Sequence, residues 1–328
     1  MHTSLRPHTL TLPLPLQLRH FITLFVSLTS ILEPPTNLGA AYVCESNISG
    51  LSRALLVTHT LDMGDVVIPR TYQQALASPE ATYWREAIHK ELRALLDIGT
   101  FQFLRLQDLP PQANVLRCHM LFTVKRNRDG SIDKFKCRLV ADGNSQQWGL
   151  DFTRVFSTVA KISTLRVVLA IAAARDYNLT CADIRQAYLQ APLNEDIYMR
   201  VPPGLPALDA TGSPLVVKLR RSLYGLRQAG REWFQFFTST LRSFGFKPSA
   251  IDTCLFVHTS DTSILWLVLW VDDFVLVDND PALHISFLRY LSSRHPTDDQ
   301  GDLTWVLQVR VTRDRASRTL SLLGTLHS

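Results

Sequence analysis

Leu269-Trp270-Val271-Asp272-Asp273-Phe274-Val275-Leu276-Val277 sets two adjacent carboxylates inside an otherwise apolar run. The residues on either side read as two buried strands, Ile264–Val271 and Phe274–Val277, joined at Asp272-Asp273. Burying unpaired charge costs on the order of several kcal/mol or forces protonation. Either these aspartates face water at a solvated turn, or something compensates them. A divalent cation compensates well, because hard carboxylate oxygens suit Mg²⁺, which one or two protein carboxylates hold together with substrate phosphates.

A third acid stands in similar surroundings. Asp183 ends the apolar run Leu179-Thr180-Cys181-Ala182 and precedes Ile184, a predicted short strand. Two such strands side by side would gather Asp183, Asp272 and Asp273 around one point. That is the arrangement needed for two metal ions about 3.5–4 Å apart in an in-line phosphoryl displacement.

The rest of the chain frames these strands. Ser78-Pro79-Glu80 reads as a helix cap, and Trp84, Ile88, Leu92 and Leu95 follow at helical spacing up to Gly99. Leu121–Val124 and Phe135–Ala141 flank Asn127-Arg128-Asp129-Gly130, whose Asp-Gly predicts a hairpin. A helix apolar on most faces starts after Ser163-Thr164 and runs to Arg175. A Pro-rich loop covers Pro202 to Pro214, and Trp233, Phe237, Leu241 and Phe244 make a further helix that stops at Gly245. Strands and helices alternate without a regular βαβ rhythm, which predicts an α+β fold.

Charge is concentrated. Val115–Ala141 holds Arg117, Lys125, Arg126, Arg128, Lys134, Lys136 and Arg138 against Asp129 and Asp133, a local +5, and Lys218–Arg231 holds another +5 with no acid. The whole chain of 328 residues carries only +5, so its remainder is acidic. Either these are solvated surfaces or they are the footprint of a protein that grips a polyphosphate. Lys136 and Arg138 alternate with Cys137 and Leu139, so both point to one face of a strand, as a pair gripping a triphosphate should. Gly225, in Leu223-Tyr224-Gly225-Leu226-Arg227-Gln228, suits close backbone approach to a nucleic-acid strand or an ordinary turn.

Composition excludes several classes. Hydrophobic residues at 46% and charged residues at 19% describe a globular chain rather than a disordered or fibrous one. The five cysteines, Cys44, Cys118, Cys137, Cys181 and Cys254, are scattered and form no CxxC pair. That argues against a disulfide scaffold or zinc ribbon and predicts a reducing compartment. The longest uninterrupted apolar run, Ile264–Val271, is far short of the ~20 residues a membrane-spanning helix needs, so no membrane partner is expected. Phe21–Leu32 imitates the apolar middle of a signal peptide, but Thr and Ser dilute it and no clean cleavage site follows. Residues 1–68 carry no functional assignment and are expected to be poorly ordered.

The order of motifs resembles the reverse transcriptase of copia-type LTR retrotransposons, over Pro69 to Leu323. Trp84-Arg85-Glu86-Ala87 with Glu91 is similar to that family's W-x-x-A-x-x-x-E. Phe122-Thr123-Val124-Lys125, Asp129-Gly130 and Lys136-Cys137-Arg138-Leu139-Val140-Ala141 resemble its F-x-V-K, D-G and K-A-R-L-V-A. Asp183-Ile184-Arg185-Gln186-Ala187-Tyr188-Leu189 resembles D-V-x-x-A-F-L, and Ile197-Tyr198-Met199 resembles I-Y-M. Ser222 to Ala229 resembles S-L-Y-G-L-K-Q-A, and Trp270-Val271-Asp272-Asp273 stands where Y-V-D-D is usual.

The resemblance implies a right-hand polymerase. Its fingers would span 69–160 with a second portion around 196–225, its palm 161–300 with an antiparallel sheet packed on helices, and a truncated thumb or connection would begin at 301–328. The implied activity is extension of a primer with dNTPs on an RNA or DNA template, with two Mg²⁺ ions (or Mn²⁺) on Asp183, Asp272 and Asp273. Tyr188 would lie under the sugar and exclude a 2′-hydroxyl. Lys136 and Arg138 would face the triphosphate, and Gln228 with Arg227 would line the template–nucleotide side. Lys125 and Arg231 would belong to the nucleic-acid surface, and Trp270 would lie near the primer end. The implied location is the cytoplasm, in a virus-like particle, or the nucleus. Ala191, Val201, Gly230 and Gln308 depart from the family's usual glycine, glutamine, proline and glycine, whereas Cys137 and Trp270 are milder changes. None removes a metal ligand. Two other readings stay open: a remnant that binds nucleic acid without turnover, motivated by the missing thumb, and an RNA-copying RNA polymerase, against which Tyr188 argues.

Overall fold

In the computed structural model, which describes residues 66–127 and 130–324, the chain starts with helices α1 (Tyr72–Ala77) and α2 (Ala81–Asp97). The predicted Ser78-Pro79-Glu80 cap needs correction. The Ser78 hydroxyl donates backwards to the Ala75 carbonyl at the end of α1, so Glu80 becomes the N-cap residue and makes no side-chain cap bond. Strands β1 (Phe101–Arg105), β2 (Val115–Leu116), β3 (Cys118–Arg126) and β4 (Ile132–Ala141) lead to helix α3 (Ile162–Arg175). There follow β5 (Asn178–Ile184), α4 (Ala187–Gln190), β6 (Pro192–Arg200), β7 (Leu215–Arg221) and α5 (Ala229–Phe244). The chain continues through β8 (Lys247–Pro248), β9 (Leu255–Thr259), β10 (Ile264–Leu269), β11 (Asp273–Asp278) and α6 (Pro281–Ser292). Its last described elements are β12 (Thr297–Asp302), β13 (Trp305–Val306), β14 (Val309–Asp314) and β15 (Thr319–Gly324).

These strands make a six-stranded sheet in the order β12-β5-β11-β10-β9-β8, a four-stranded sheet β1-β7-β6-β2, a three-stranded sheet β13-β14-β15 and the hairpin β3-β4. Pairing within the sheets is antiparallel except between β2 and β6, and the architecture mixes helices with several sheets. The hairpin is longer than the sequence predicts. Of its predicted tip, Arg128 and Asp129 lie outside the described residues, and Gly130 N–H donates to the Asn127 carbonyl at 3.0 Å beside them.

The apolar stretch around Asp272-Asp273 is continuous because the central sheet is covered on both faces. Leu265, Leu267 and Leu269 of β10 and Phe274 and Leu276 of β11 meet Trp233, Phe237 and Leu241 of α5 and Phe287 and Leu291 of α6. The alternate residues Val268, Trp270, Val275 and Val277 meet Leu165, Val168, Leu169 and Ala172 of α3. Each fully buried side chain of this size stabilises by about 1.5–3 kcal/mol, so a one-residue slip of register would exchange two matched cores for two mismatched ones. A third core joins Trp84, Ile88, Leu92 and Leu95 of α2 to Phe122 and Leu139 of the hairpin. Among the described residues no helix is long and apolar enough to cross a membrane.

Candidate active site

The strand register brings the acids together. Asp273 of β11 is the Cα partner of Asp183 of β5, and Ile184 N–H donates to the Asp272 carbonyl at 2.9 Å. Directly opposed residues project to one face of an antiparallel pair, so the Asp183 and Asp273 carboxyls meet and hydrogen-bond. Two indoles brace the turn between the strands. Trp233 N–H of α5 donates to the Val271 carbonyl, and Trp270 N–H donates to the Ala160 carbonyl at 3.2 Å on the other face.

Like charge crowds this edge. On the far side of β5, Asp298 of β12 is also opposite Asp183, and it pairs with Arg185 at 3.3 Å. Burial first, then Asp272, Asp273 and Asp298, push the Asp183 carboxyl up to about 6, and its hydrogen bond to Asp273 adds to the rise. Asp273 is also raised, by burial and then Asp272, while the bond from Asp183 and the Lys125 charge oppose the rise. The donor set is all oxygen and excess in negative charge, which is the chemistry that fits Mg²⁺. Among the described residues, no group of three or more His, Cys, Asp or Glu side chains is arranged to hold a metal ion. Asp183 and Asp273 turn oxygens toward each other instead.

Cations of the hairpin face the acids. Cys137 and Leu139 are buried while Lys136 and Arg138 take the opposite face of β4. The Lys136 ammonium is lowered by burial, then by Arg138 and Lys125, against the pull of Glu91. The Arg138 guanidinium lies 5.3 Å from the centroid of the Tyr224 ring, and Tyr224 stands edge-on to Tyr188 with centroids 5.0 Å apart. Burial raises the Tyr224 hydroxyl, and among the lesser contributions Arg138 lowers it while Asp272 and Glu91 raise it. The two tyrosines therefore bridge the acidic edge and the cationic hairpin. Glu91 of α2 closes the arrangement from behind, accepting from Leu139 N–H at 3.0 Å.

The structure treats the predicted residues unequally. Asp183, Asp272 and Asp273 meet at this edge with Lys125 acting on Asp273, while Arg138 and Tyr188 are linked to it through Tyr224 and Lys136 stands beside Arg138 and Lys125 on the hairpin. Gln228, expected to line the nucleotide, is 0% exposed and spends its amide on Gln146 and the Asp151 carbonyl. Trp270, expected near the primer, is 6% exposed in the α3-side core, because its indole N–H closes the Ala160 carbonyl. Arg231, expected on the nucleic-acid surface, is ion-paired with buried Glu232. Arg227 remains exposed. Sequence reading misses Asp298, Glu91 and Tyr224 as members of the site. Asp298 sits in the polar run Thr297-Asp298-Asp299, whose composition says only that it is solvated, and its partner is set by long-range pairing.

A family model described as "Reverse transcriptase (RNA-dependent DNA polymerase)" matches residues 101–327. The chain is 37% identical over 245 residues to the retrovirus-related Pol polyprotein from transposon RE1 of Arabidopsis thaliana, covering 75% of this chain and 16% of that protein. It is 33% identical over 255 residues to the corresponding polyprotein from transposon TNT 1-94 of Nicotiana tabacum, covering 77% and 19%. It is 28% identical over 235 residues to the truncated transposon Ty1-A Gag-Pol polyprotein of Saccharomyces cerevisiae, covering 69% and 18%. The chain thus spans less than a fifth of the length of these relatives.

Proposed function

The chain belongs to the reverse transcriptase (RNA-dependent DNA polymerase) family, and on that premise we propose that the β5–β11 edge is a site of template-directed DNA synthesis. The reaction is attack of a primer 3′-hydroxyl on the α-phosphate of a dNTP. A bond forms from the 3′-oxygen to phosphorus as the hydroxyl gives up its proton to solvent, the bond from phosphorus to the bridging oxygen breaks, and pyrophosphate leaves with that electron pair. Asp183, Asp272 and Asp273 would hold Mg²⁺, which when bound supplies neutralisation of the phosphate charge and a more acidic attacking hydroxyl.

The chain's own groups do the remainder. Lys136 and Arg138 bind the triphosphate from the hairpin, with Arg138 steadied by the Tyr224 ring. Lys125 adds positive charge on the side of Asp273. Tyr188, partly buried between two cores, gives the sugar pocket a floor that leaves no room for a 2′-hydroxyl. In this reading the six-stranded sheet is the palm and α2 with the β3–β4 hairpin belongs to the fingers.

The register that sets Asp273 opposite Asp183 carries the proposal. Primer extension with oligo-dT on poly-rA, with Mg²⁺, tests it against Asp272→Asn. The expected result is dTTP incorporation that the substitution lowers by more than about 100-fold, the loss typical of mere outer-shell changes at metal sites. The competing reading is a remnant that binds without turnover. Salt-sensitive binding with no incorporation above the Asp272→Asn control would establish that reading.

A further inference from the structure

The loop between the hairpin and α3 is braced by buried polar side chains that bind only the loop and its neighbours. Asp151 is 1% exposed, and its carboxylate accepts from Gln147 N–H at 2.7 Å and from the Asn114 amide at 2.6 Å. Gln146 donates to Gln228 at 3.0 Å, Gln228 donates on to the Asp151 carbonyl at 2.9 Å, and Gln146 accepts from Arg227 N–H at 2.8 Å. Satisfied networks of this kind add little net stability but specify one conformation.

What they hold in place is an exposed pair. Trp148 is 69% exposed, with its ring edge-on to Phe152 at 5.4 Å. From the turn between β7 and α5, the Arg227 guanidinium stands 5.5 Å from the same Phe152 ring, its Nε donating to the Gly143 carbonyl at 2.9 Å. Among the described residues Arg227 has no carboxylate partner. The two acids of the loop are spent elsewhere, Asp151 within it and Asp142 on Arg117 and His119. An exposed indole and a guanidinium without a carboxylate partner therefore flank one buried aromatic ring.

We propose that Trp148 and Arg227 form a stacking step for single-stranded nucleic acid, the indole taking a base and the guanidinium an adjoining phosphate. This rests on the reading that the chain handles a template. A cation without an acid selects a polyanion over an apolar peptide, and an indole stacks on any base, which suits a template of arbitrary sequence. The bracing lowers the ordering cost of binding. Arg227 lies three residues from Tyr224 of the candidate site, so the step sits beside the edge where a copied strand would be read.

Fluorescence anisotropy of the full chain, with a labelled unpaired oligonucleotide of about 10 nucleotides and with a blunt duplex of the same length, tests this. Trp148→Ala is expected to weaken single-strand binding about tenfold and duplex binding less than twofold, with Trp148→Phe recovering most of the loss. Arg227→Gln should flatten the salt dependence by about one phosphate contact. Single-strand affinity within twofold of wild type for Trp148→Ala overturns the proposal, as does a wild-type chain that binds no single strand. Incorporation with unaltered Trp148→Ala binding would sink this inference alone. Loss of binding in Trp148→Ala beside a wild type that incorporates nothing would sink the polymerase reading alone.

Discussion

Replacing Gly225 by alanine strikes the place where two backbones cross. Gly225 has φ +90°, and a Cβ added there would lie 2.1 Å from the Ala141 carbonyl oxygen and 2.7 Å from Val140 Cγ1. From the other side, a Cβ on Gly143 would lie 2.0 Å from the Gly225 oxygen. Two effects follow. A left-handed φ costs an alanine about 1 kcal/mol relative to glycine. The overlap is with backbone oxygen, so no rotamer relieves it, and the crossing must open at the expense of the Ala141 N–H to Tyr224 carbonyl bond of 2.8 Å. Losing a buried backbone bond costs about 1–3 kcal/mol more. The expected loss is roughly 3 kcal/mol, or on the order of 10 °C in midpoint for a chain of this size. Gly212→Ala is the control, because Gly212 has φ +81° with nothing within 4 Å of an added Cβ, and it should lose only about 1 kcal/mol. Thermal and urea denaturation followed by circular dichroism measure both. A Gly225→Ala chain that melts within about 2 °C of Gly212→Ala refutes the tight crossing.

Two further outcomes follow from particular residues. Leu307 and Gln308 have φ +48° and +65° at the turn between β13 and β14, a conformation that L side chains rarely adopt. Gln308→Gly should therefore raise stability by about 0.5–1 kcal/mol, seen as a higher urea midpoint at unchanged slope. His295 is 2% exposed, bonded to Thr240 and Gln190 and ringed by Trp233, Phe236 and Phe237. Burial first, and then Arg294, lower it from 6.5 to about 4. The unfolded chain takes up this proton as pH falls through 6.5 while the folded chain resists until about 4. Stability is thus full above 6.5 and falls across that window by at most about 3 kcal/mol. His295→Gln should remove that component, and parallel urea-stability curves for the two chains between pH 7.5 and 4.5 would contradict it.

Much of the frame is legible in the residues because local periodicity and burial agree there. Helices α2, α3 and α5, strand β5 and the β10–β11 pair each lie close to where apolar spacing puts them. The acids are legible for a related reason: a carboxylate in an apolar run demands an explanation wherever its strand goes. Failures come where the partner is distant in sequence. Nothing local distinguishes Gln228, 0% exposed, from exposed Arg227 beside it. The difference is made by Gln146, far along the chain. Trp270 has the composition of a nucleic-acid contact and the environment of a core residue, because Ala160 offers its carbonyl to the indole. The capping signal at Ser78 fails since α1 ends there and claims the hydroxyl first.

The departures from the family's motifs sort by backbone geometry. Ala191 has φ −76° and ψ 128°, so alanine replaces glycine there at no conformational cost. At Gly230 a Cβ would stand 3.2 Å from the Ser157 Cβ, so the glycine and the close approach of that neighbouring loop go together. Trp270 brings an indole N–H that closes a carbonyl. Gln308 alone of these keeps a side chain at positive φ. None of them lies among Asp183, Asp272, Asp273, Lys136 and Arg138, so their cost falls on the stability of the frame and not on the charges that would meet substrate. Gln308→Gly is accordingly expected to increase the folded fraction and leave the rate per folded molecule unchanged. A changed rate per folded molecule, with the folded fraction measured separately, would show that the β13–β14 turn reaches the reacting groups.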